Sequence, residues 1–365
     1  MFNPQETLFQ ILRNAFFQEP LQMSALSHPD FISLMELASK QTVEGLLAEV
    51  LMRENVQLDR GDAIYLFSRA RMIESLNGQV THGLLRLQDL LNAQDIRCLI
   101  FKGQTLAQLY PHPLTRTPGD IDFYCEKKDF QNAVKLIEDS WSLKINVGES
   151  AKHREFVYQD VHYELHFNIL KFNNNRIQRY WDHLLNTEKN DIITIEQADV
   201  RVLNPTLNTL YTFLHLYDHL VELGVGLRQI CDWCRCLHNT SKEMDLIKLE
   251  WNLNRFDLLS AWKVFGCASV LYLGLHKEGM PFYEEKYEDK AESVMKIIMK
   301  EGNFGINSNR SKRPKNYLLG KITGMKNNIK SSIKMFPLFP KESIKNIKNP
   351  IDSFGTIYLD LKNKR

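Results

Sequence analysis

The chain is short of most features that assign a protein by elimination. No apolar run in its 365 residues approaches the roughly 18 that a membrane span needs. Residues 1–19 alternate apolar and polar positions, with no basic stretch leading into an apolar one, so they do not read as a secretory signal. Cysteine is scarce: six residues spread over the whole length exclude a disulfide scaffold and fit a reducing compartment, which makes the cytoplasm the expected location. No Gly-x-x-x-x-Gly-Lys-Ser/Thr run is present, which disfavours a P-loop. Gly224-Val225-Gly226 follows a helical stretch rather than a strand and is no dinucleotide fingerprint. Cys231, Cys234 and Cys236 with His238 have no second Cys-x-x-Cys to complete a zinc site and read as small buried thiols. His215 and His219 stand four apart but lack the Glu of a His-Glu-x-x-His helix. No internal repeat is visible.

What is present is ordinary in bulk: 44% hydrophobic and 25% charged residues, enough to bury a substantial core. The net charge of +2 conceals an asymmetry. Residues 310–365 hold 14 Lys/Arg against 3 Asp/Glu, a net +11, which leaves the remainder near −9. Such a tail reads either as a solvated end or as a surface for an anionic partner.

Hydrophobic periodicity divides the chain. Residues 1–92 read as helices, with apolar positions at helical spacing in Leu8, Ile11, Leu12, Ala15, Phe16 and again in Leu84, Leu87, Leu90, Leu91. Ser27-His28-Pro29-Asp30 marks a break with a helix start behind it. The pattern then changes. Residues 96–101 form a short apolar run ended by Lys102-Gly103, read as a buried strand, and 104–110 a short helix. Three prolines at 111, 113 and 118 predict an extended loop before a strand at 120–125. An amphipathic helix follows at 129–140, with Asp129 as its N-cap. Residues 154–160 and 161–170 are strand-like and close enough for a hairpin, and two short strands are expected at 192–195 and 200–203. Beyond Pro205 the helical period returns at 207–223, 227–237 and 258–275, and weakens after about residue 302. The fold class is therefore α+β: a mixed-sheet core at 93–204 between helical regions at 1–92 and 205–300, with a partly ordered basic tail at 301–365.

Asp120-Ile121-Asp122 puts two carboxylates on one face of a strand. Alone, such a pair reads as two solvated acids. A second strand changes the weighing: in Val161-His162-Tyr163-Glu164-Leu165-His166-Phe167, His162, Glu164 and His166 share one face. Glu164 is then a candidate third carboxylate, and hard oxygen ligands of this kind suit Mg²⁺ together with phosphates. Lys102-Gly103, where a strand turns into a helix, and Arg116, four residues before Asp120, could meet those phosphates. Gly119 would allow close backbone approach. Arg228 and Asp232 share a helix face, either paired with each other or with Arg228 reaching the nucleotide pocket.

The run Lys102-Gly103-Gln104-Thr105-Leu106 … Tyr110 … Arg116-Thr117-Pro118-Gly119-Asp120-Ile121-Asp122 resembles the signature of the DNA polymerase β-like nucleotidyltransferase superfamily. It is most similar to an uncharacterised bacterial nucleotidyltransferase family and to AbiEii-type toxins. Tyr163-Glu164-Leu165-His166-Phe167 resembles that family's later strand, and Leu214-His215-Leu216 … His219 … Gly226-Leu227-Arg228-Gln229-Ile230-Cys231-Asp232-Trp233 its following helical motif. The resemblance covers residues 95–240 and implies transfer of NMP from an NTP, with pyrophosphate leaving. On this reading Asp120, Asp122 and Glu164 hold Mg²⁺ or Mn²⁺ and are catalytic. Lys102, Gly103, Gln104, Arg116 and Arg228 contact the nucleotide, while His166 and Asp232 support these groups. The superfamily's Gly-Ser at the phosphate loop is replaced here by Gly103-Gln104-Thr105. The acceptor is open: a small molecule, RNA or protein, or no acceptor at all in a nucleotide-binding regulator. A ribonuclease of the HEPN kind is disfavoured, its only trace being Arg176-x6-His183 in the wrong part of the chain.

Overall fold

The computed structural model describes residues 2–145, 153–172, 174–222, 224–303 and, further on, 323, 326–327, 329–330 and 332–340. Most of the basic segment therefore lies outside the described residues, as does its expected role.

The N-terminal helices begin and end where local chemistry directs. In α1 (Pro4–Phe17) the Asn3 side chain accepts from the first free N–H groups, and the chain leaves through Gln18 in the left-handed region. Ser27 caps α2 (His28–Gln41) in the same way, with a proline in the first turn, as Ser27-His28-Pro29-Asp30 predicts. Then come α3 (Glu44–Arg53) and the 33-residue α4 (Arg60–Asn92).

The central sheet has four strands in the order β1-β2-β4-β3: β1 (Cys98–Phe101), β2 (Ile121–Cys125), β3 (His153–Tyr158) and β4 (Val161–His166). β2 and β4 run parallel at the centre, and the outer pairs are antiparallel. Gln159 and Asp160, both at positive φ, close the β3–β4 hairpin with the twist that such strands prefer. Between β1 and β2 lies the short α5 (Gly103–Ala107); α6 (Phe130–Trp141) follows β2. Asp129 does precede α6, but its side chain makes no cap hydrogen bond.

Strand alternation gives the sheet two unlike faces. Ile100, Ile121, Phe123, Tyr163 and Leu165 point into an apolar core shared with α4 and α6. Leu99 and Phe101 point the other way, into a larger core. That core joins α1–α3 to the helices beyond the sheet: α7 (Asn175–Thr187), α8 (Pro205–Glu222), α9 (Leu227–Thr240), α10 (Leu246–Phe256), α11 (Leu259–Leu273) and α12 (Glu288–Glu301). Residues 1–92 and 205–300 thus feed one common cluster. The expected strands at 192–195 and 200–203 exist as β5 (Asp191–Ile195) and β6 (Ala198–Val202), a separate two-stranded sheet. Among the described residues no single helix is long and apolar enough to cross a membrane.

Candidate active site

The acids meet because of strand register. In the parallel pair, Asp122 on β2 lies directly opposite Glu164 on β4, so their side chains leave the same face side by side. Asp120, two residues earlier, projects to that face from the strand entrance. One oxygen from each of Asp120, Asp122 and Glu164 can be chosen so that all three lie within 4.8 Å of one another.

Lys102 reaches the same point from the end of β1, whose Phe101 is paired with Asp122. Its Nζ donates to Asp122 Oδ1 at 2.8 Å. His166 Nε2 lies 2.9 Å from that oxygen and 3.1 Å from Glu164 Oε2. Burial would raise the Asp122 carboxyl, but the Lys102 ammonium and the His166 hydrogen bond overcome it and hold Asp122 ionised, well below the usual range. Asp120 goes the other way, pushed up to about 6 by burial and by the neighbouring Asp122 charge. Burial disfavours the charged form of His166, yet its bonds to Asp122 and Glu164 raise its pKa on balance. The site thus carries repulsion among carboxylates that a divalent cation relieves, and its hard oxygen donors fit one.

The backbone beneath Lys102 is forced. Lys102 sits at φ 59°, ψ −158°, a region occupied essentially by glycine and costing other residues on the order of 1–3 kcal/mol. Gly103 follows at φ 48°, and a Cβ there would stand 3.1 Å from the Asp120 carbonyl oxygen. The turn is fastened by Thr105, whose hydroxyl donates to the Lys102 carbonyl at 2.8 Å. The helix behind it has only five residues, too short for the helix-terminus phosphate site that the sequence predicts. Positive charge in the cavity comes instead from side chains.

Two of these are buried arginines. Asp232 on α9 accepts from Arg116 Nε at 2.7 Å and Nη2 at 2.8 Å, and from the Tyr110 hydroxyl at 2.7 Å. The i, i+4 pairing of Arg228 with Asp232 is therefore replaced by an Arg116–Asp232 pair. A planar guanidinium arriving from the facing loop matches both carboxylate oxygens, which a neighbour on the same helix does poorly. Arg228 instead donates to the Thr117 and Pro118 carbonyls at 3.2 and 3.4 Å. Among the described residues, Arg116 Nη1 and Arg228 Nε are buried without a hydrogen-bond partner. Burial and the charge of Arg116 together lower the pKa of Arg228. Two crowded guanidinium groups with spare donors form a receptor for an anion.

Lys102, Arg116, Arg228, Asp120, Asp122 and Glu164 all line one cavity of about 360 Å³. Gly103 and Asp232 line it too, and α8 adds His215 and His219, whose Nε2 atoms lie 3.1 Å apart. Gln104 does not join them. It is 4% exposed, and its amide donates to Asn77 Oδ1 at 3.1 Å, so its amide nitrogen is committed to α4 rather than to a phosphate. Gly119 lines the cavity, and a Cβ there would meet only Arg228 Nη1 at 3.9 Å. Cys231, Cys234 and Cys236 are buried in α9, and burial raises all three thiols.

Two participants carried no signal that sequence reasoning used. Asn77, fully buried in α4, donates its amide to the carbonyls of Leu114 and Arg116 at 2.8 and 2.9 Å and so fixes the arginine loop. His153 on β3 pairs with His166 on β4 and lines the cavity.

Three acids, a strained lysine turn and two buried guanidinium groups thus line one cavity. Residues 27–272, about two-thirds of the chain, match the uncharacterised nucleotidyltransferase family, and the chain belongs to it. Among solved structures it is similar to an antigenic nucleotidyltransferase-like protein from Paracoccidioides brasiliensis, at 18% identity over 51% of this chain and 91% of that one, with a TM-score of 0.32. No curated protein matches.

Proposed function

We propose that the protein moves NMP from an NTP to a hydroxyl or phosphate acceptor, with Asp120, Asp122 and Glu164 holding Mg²⁺ or Mn²⁺. The observation that carries this reading is that three converging carboxylates and two buried guanidinium groups with unused donors line one cavity. The acceptor oxygen attacks the α-phosphorus, a hydroxyl acceptor giving up its proton to Glu164, the α–β phosphoanhydride bond breaks, and pyrophosphate leaves. A bound divalent ion supplies charge neutralisation at the phosphates and Lewis acidity. The chain's own residues supply position. Arg116 Nη1 and Arg228 Nε receive triphosphate oxygens, and the Arg116–Asp232 pair keeps the first of these from turning away. Lys102 balances the charge of Asp122 at 2.8 Å, and His166 braces Asp122 against Glu164. Catalysis of this kind rests on preorganised charge rather than covalent work.

RNA is the acceptor with a specific observation behind it: the net +11 of residues 310–365 suits a polyanion, as in a toxin-like enzyme that modifies tRNA. The test is incubation with each labelled NTP, Mg²⁺ or Mn²⁺, and a cell extract as acceptor pool. Label should pass to an acceptor with wild type and fall by about 10²–10³-fold or more in Asp120→Asn and Asp122→Asn. Equal transfer by those variants would falsify the assignment. NTP binding with no pyrophosphate released under any metal or acceptor would favour a nucleotide-binding regulator. An RNA acceptor should become labelled, and its affinity should drop steeply with salt; labelled protein that is insensitive to salt would point to a protein target.

A further inference from the structure

Beside the three carboxylates lies a second set of ligand atoms that nucleotidyl transfer does not require. His153, Glu164 and His166 present one ligand atom each within 4.8 Å of one another. His153 and His166 are register partners on antiparallel strands, with ring centroids 4.8 Å apart. His153 Nδ1 is 3.4 Å from Glu164 Oε2, and His166 Nε2 is 3.1 Å from the same oxygen. An ion with tetrahedral ligands at about 2.0–2.1 Å spaces those ligands roughly 3.3 Å apart. The two distances to Glu164 match that spacing, and the third pair, His153 with His166, lies within 4.8 Å.

The far nitrogens of both rings are also provided for. His153 Nε2 lies 2.8 Å from Glu155 Oε1, and His166 Nδ1 lies 3.4 Å from the Asn168 carbonyl oxygen. A histidine that ligates a metal almost always donates its other N–H to a carboxylate or a backbone carbonyl, which fixes the tautomer with the lone pair toward the ion. Here one ring has the carboxylate and the other the carbonyl. In the cation-free protein the His166 Nε2 proton bridges Asp122 and Glu164; an ion takes that proton's place and the proton passes to solvent.

We infer that His153, His166 and Glu164 form a second metal site, selective for a nitrogen-preferring divalent ion of the zinc type and joined to the carboxylate site through Glu164. Imidazole suits Zn²⁺ and Co²⁺, whereas Mg²⁺ prefers oxygen. The site thus differs in preference from the three acids next to it. It shares Glu164 with the proposed catalytic acids but does not depend on nucleotidyl transfer taking place.

The full chain is titrated with Co²⁺ in the presence of excess Mg²⁺ and followed by visible absorption and paramagnetic proton NMR. Wild type is expected to develop ligand-field bands and two hyperfine-shifted imidazole N–H resonances that vanish in D2O. His153→Ala should lose one of the two. Glu155→Ala changes an exposed side chain (69% accessible) that is itself no proposed ligand, although it stands opposite Glu164 across the strand pair, so it tests the idea without disturbing the core. It should weaken Co²⁺ and Zn²⁺ binding by about 10–100-fold. Absence of shifted N–H signals in wild type, or unchanged signals and affinity in both variants, overturns the site. Label transfer is measured separately with Mg²⁺ alone. Transfer without the cobalt signature sinks this inference only; the signature without transfer sinks only the proposed reaction.

Discussion

Truncating Asp232 to alanine should be among the most damaging single changes to stability in this chain. Asp232 and Arg116 are each 5% exposed. The carboxylate accepts two guanidinium N–H bonds at 2.7 and 2.8 Å and the Tyr110 hydroxyl at 2.7 Å. Burial alone would lower the pKa of Arg116, and Asp232 reverses the sign, so the pair is held together by the carboxylate's charge. Without it, Arg116 stays ionised and buried with no countercharge beside it. Breaking one side of a buried ion pair costs about 3–5 kcal/mol, against about 0–1 kcal/mol for an exposed one. Asp232→Asn keeps the shape but removes the charge and turns one acceptor into a donor facing the guanidinium, so it should cost nearly as much. Removing both charges, in Asp232→Leu with Arg116→Met, should recover a large part of the loss. Urea unfolding followed by tryptophan fluorescence measures these proteins together with the singles Asp232→Leu and Arg116→Met, since Trp233 next to Asp232 is fully buried. A cost below about 1 kcal/mol for Asp232→Ala, or a double variant as unstable as the two singles summed, would refute the pairing argument.

Three further outcomes follow from the same geometry. Gly45→Ala places a methyl 2.1 Å from the Thr115 carbonyl oxygen, so α3 and the arginine loop must separate; weaker NTP binding is expected by calorimetry, and unchanged affinity would show that the loop position is immaterial. Asp120 titrates at about 6 in the folded protein, so cation affinity should decline as pH falls below that point, checked by titrating Mn²⁺ between pH 5 and 8. Because the folded pKa of Asp120 lies above its ordinary 3.8, its contribution to the stability of the cation-free protein is fully present below pH 4 and is lost as pH rises through about 6. Asp120→Asn should remove that slope and raise the melting temperature at pH 8; an unchanged melting curve would contradict the repulsion inferred among the acids.

How much of this was legible in the sequence depended on whether the cause was local. Alternation in Val161-His162-Tyr163-Glu164-Leu165-His166 is a property of the strand itself, and it correctly separates Tyr163 and Leu165 in the core from Glu164 and His166 at the site. Helical spacing likewise found α1 and α8. The helices α10 and α12 were not read although they bury apolar residues at helical spacing, Leu249, Leu253 and Phe256 in one and Ala291, Val294, Met295 and Ile298 in the other; α7 offers less, burying only Trp181 and Leu184. A helix like α7 is ordered by what it packs against, which no window of sequence contains. The same holds at the site. Arg228 and Asp232 are neighbours on one helix, yet a loop 116 residues away from Asp232 supplies the partner. Gln104 stands inside the family motif, but an asparagine in α4 claims its amide. The positive φ of Lys102 has no signature beyond the glycine that follows.

The core that α1 shares with the last helices has a consequence for how the chain is made. Arg13 donates to the carbonyl of Leu271, 258 residues further on, and Leu8, Ile11 and Leu12 are buried in the cluster that α11 completes. At a synthesis rate of about 5–20 residues per second, the partner of α1 emerges roughly 10–50 s after α1 itself. For that interval α1 has α2 and α3 to pack against but lacks the surface that α11 supplies. The seat of α1 is therefore completed only once α11 has been made, and the part of its apolar stripe that α11 covers stays exposed until then.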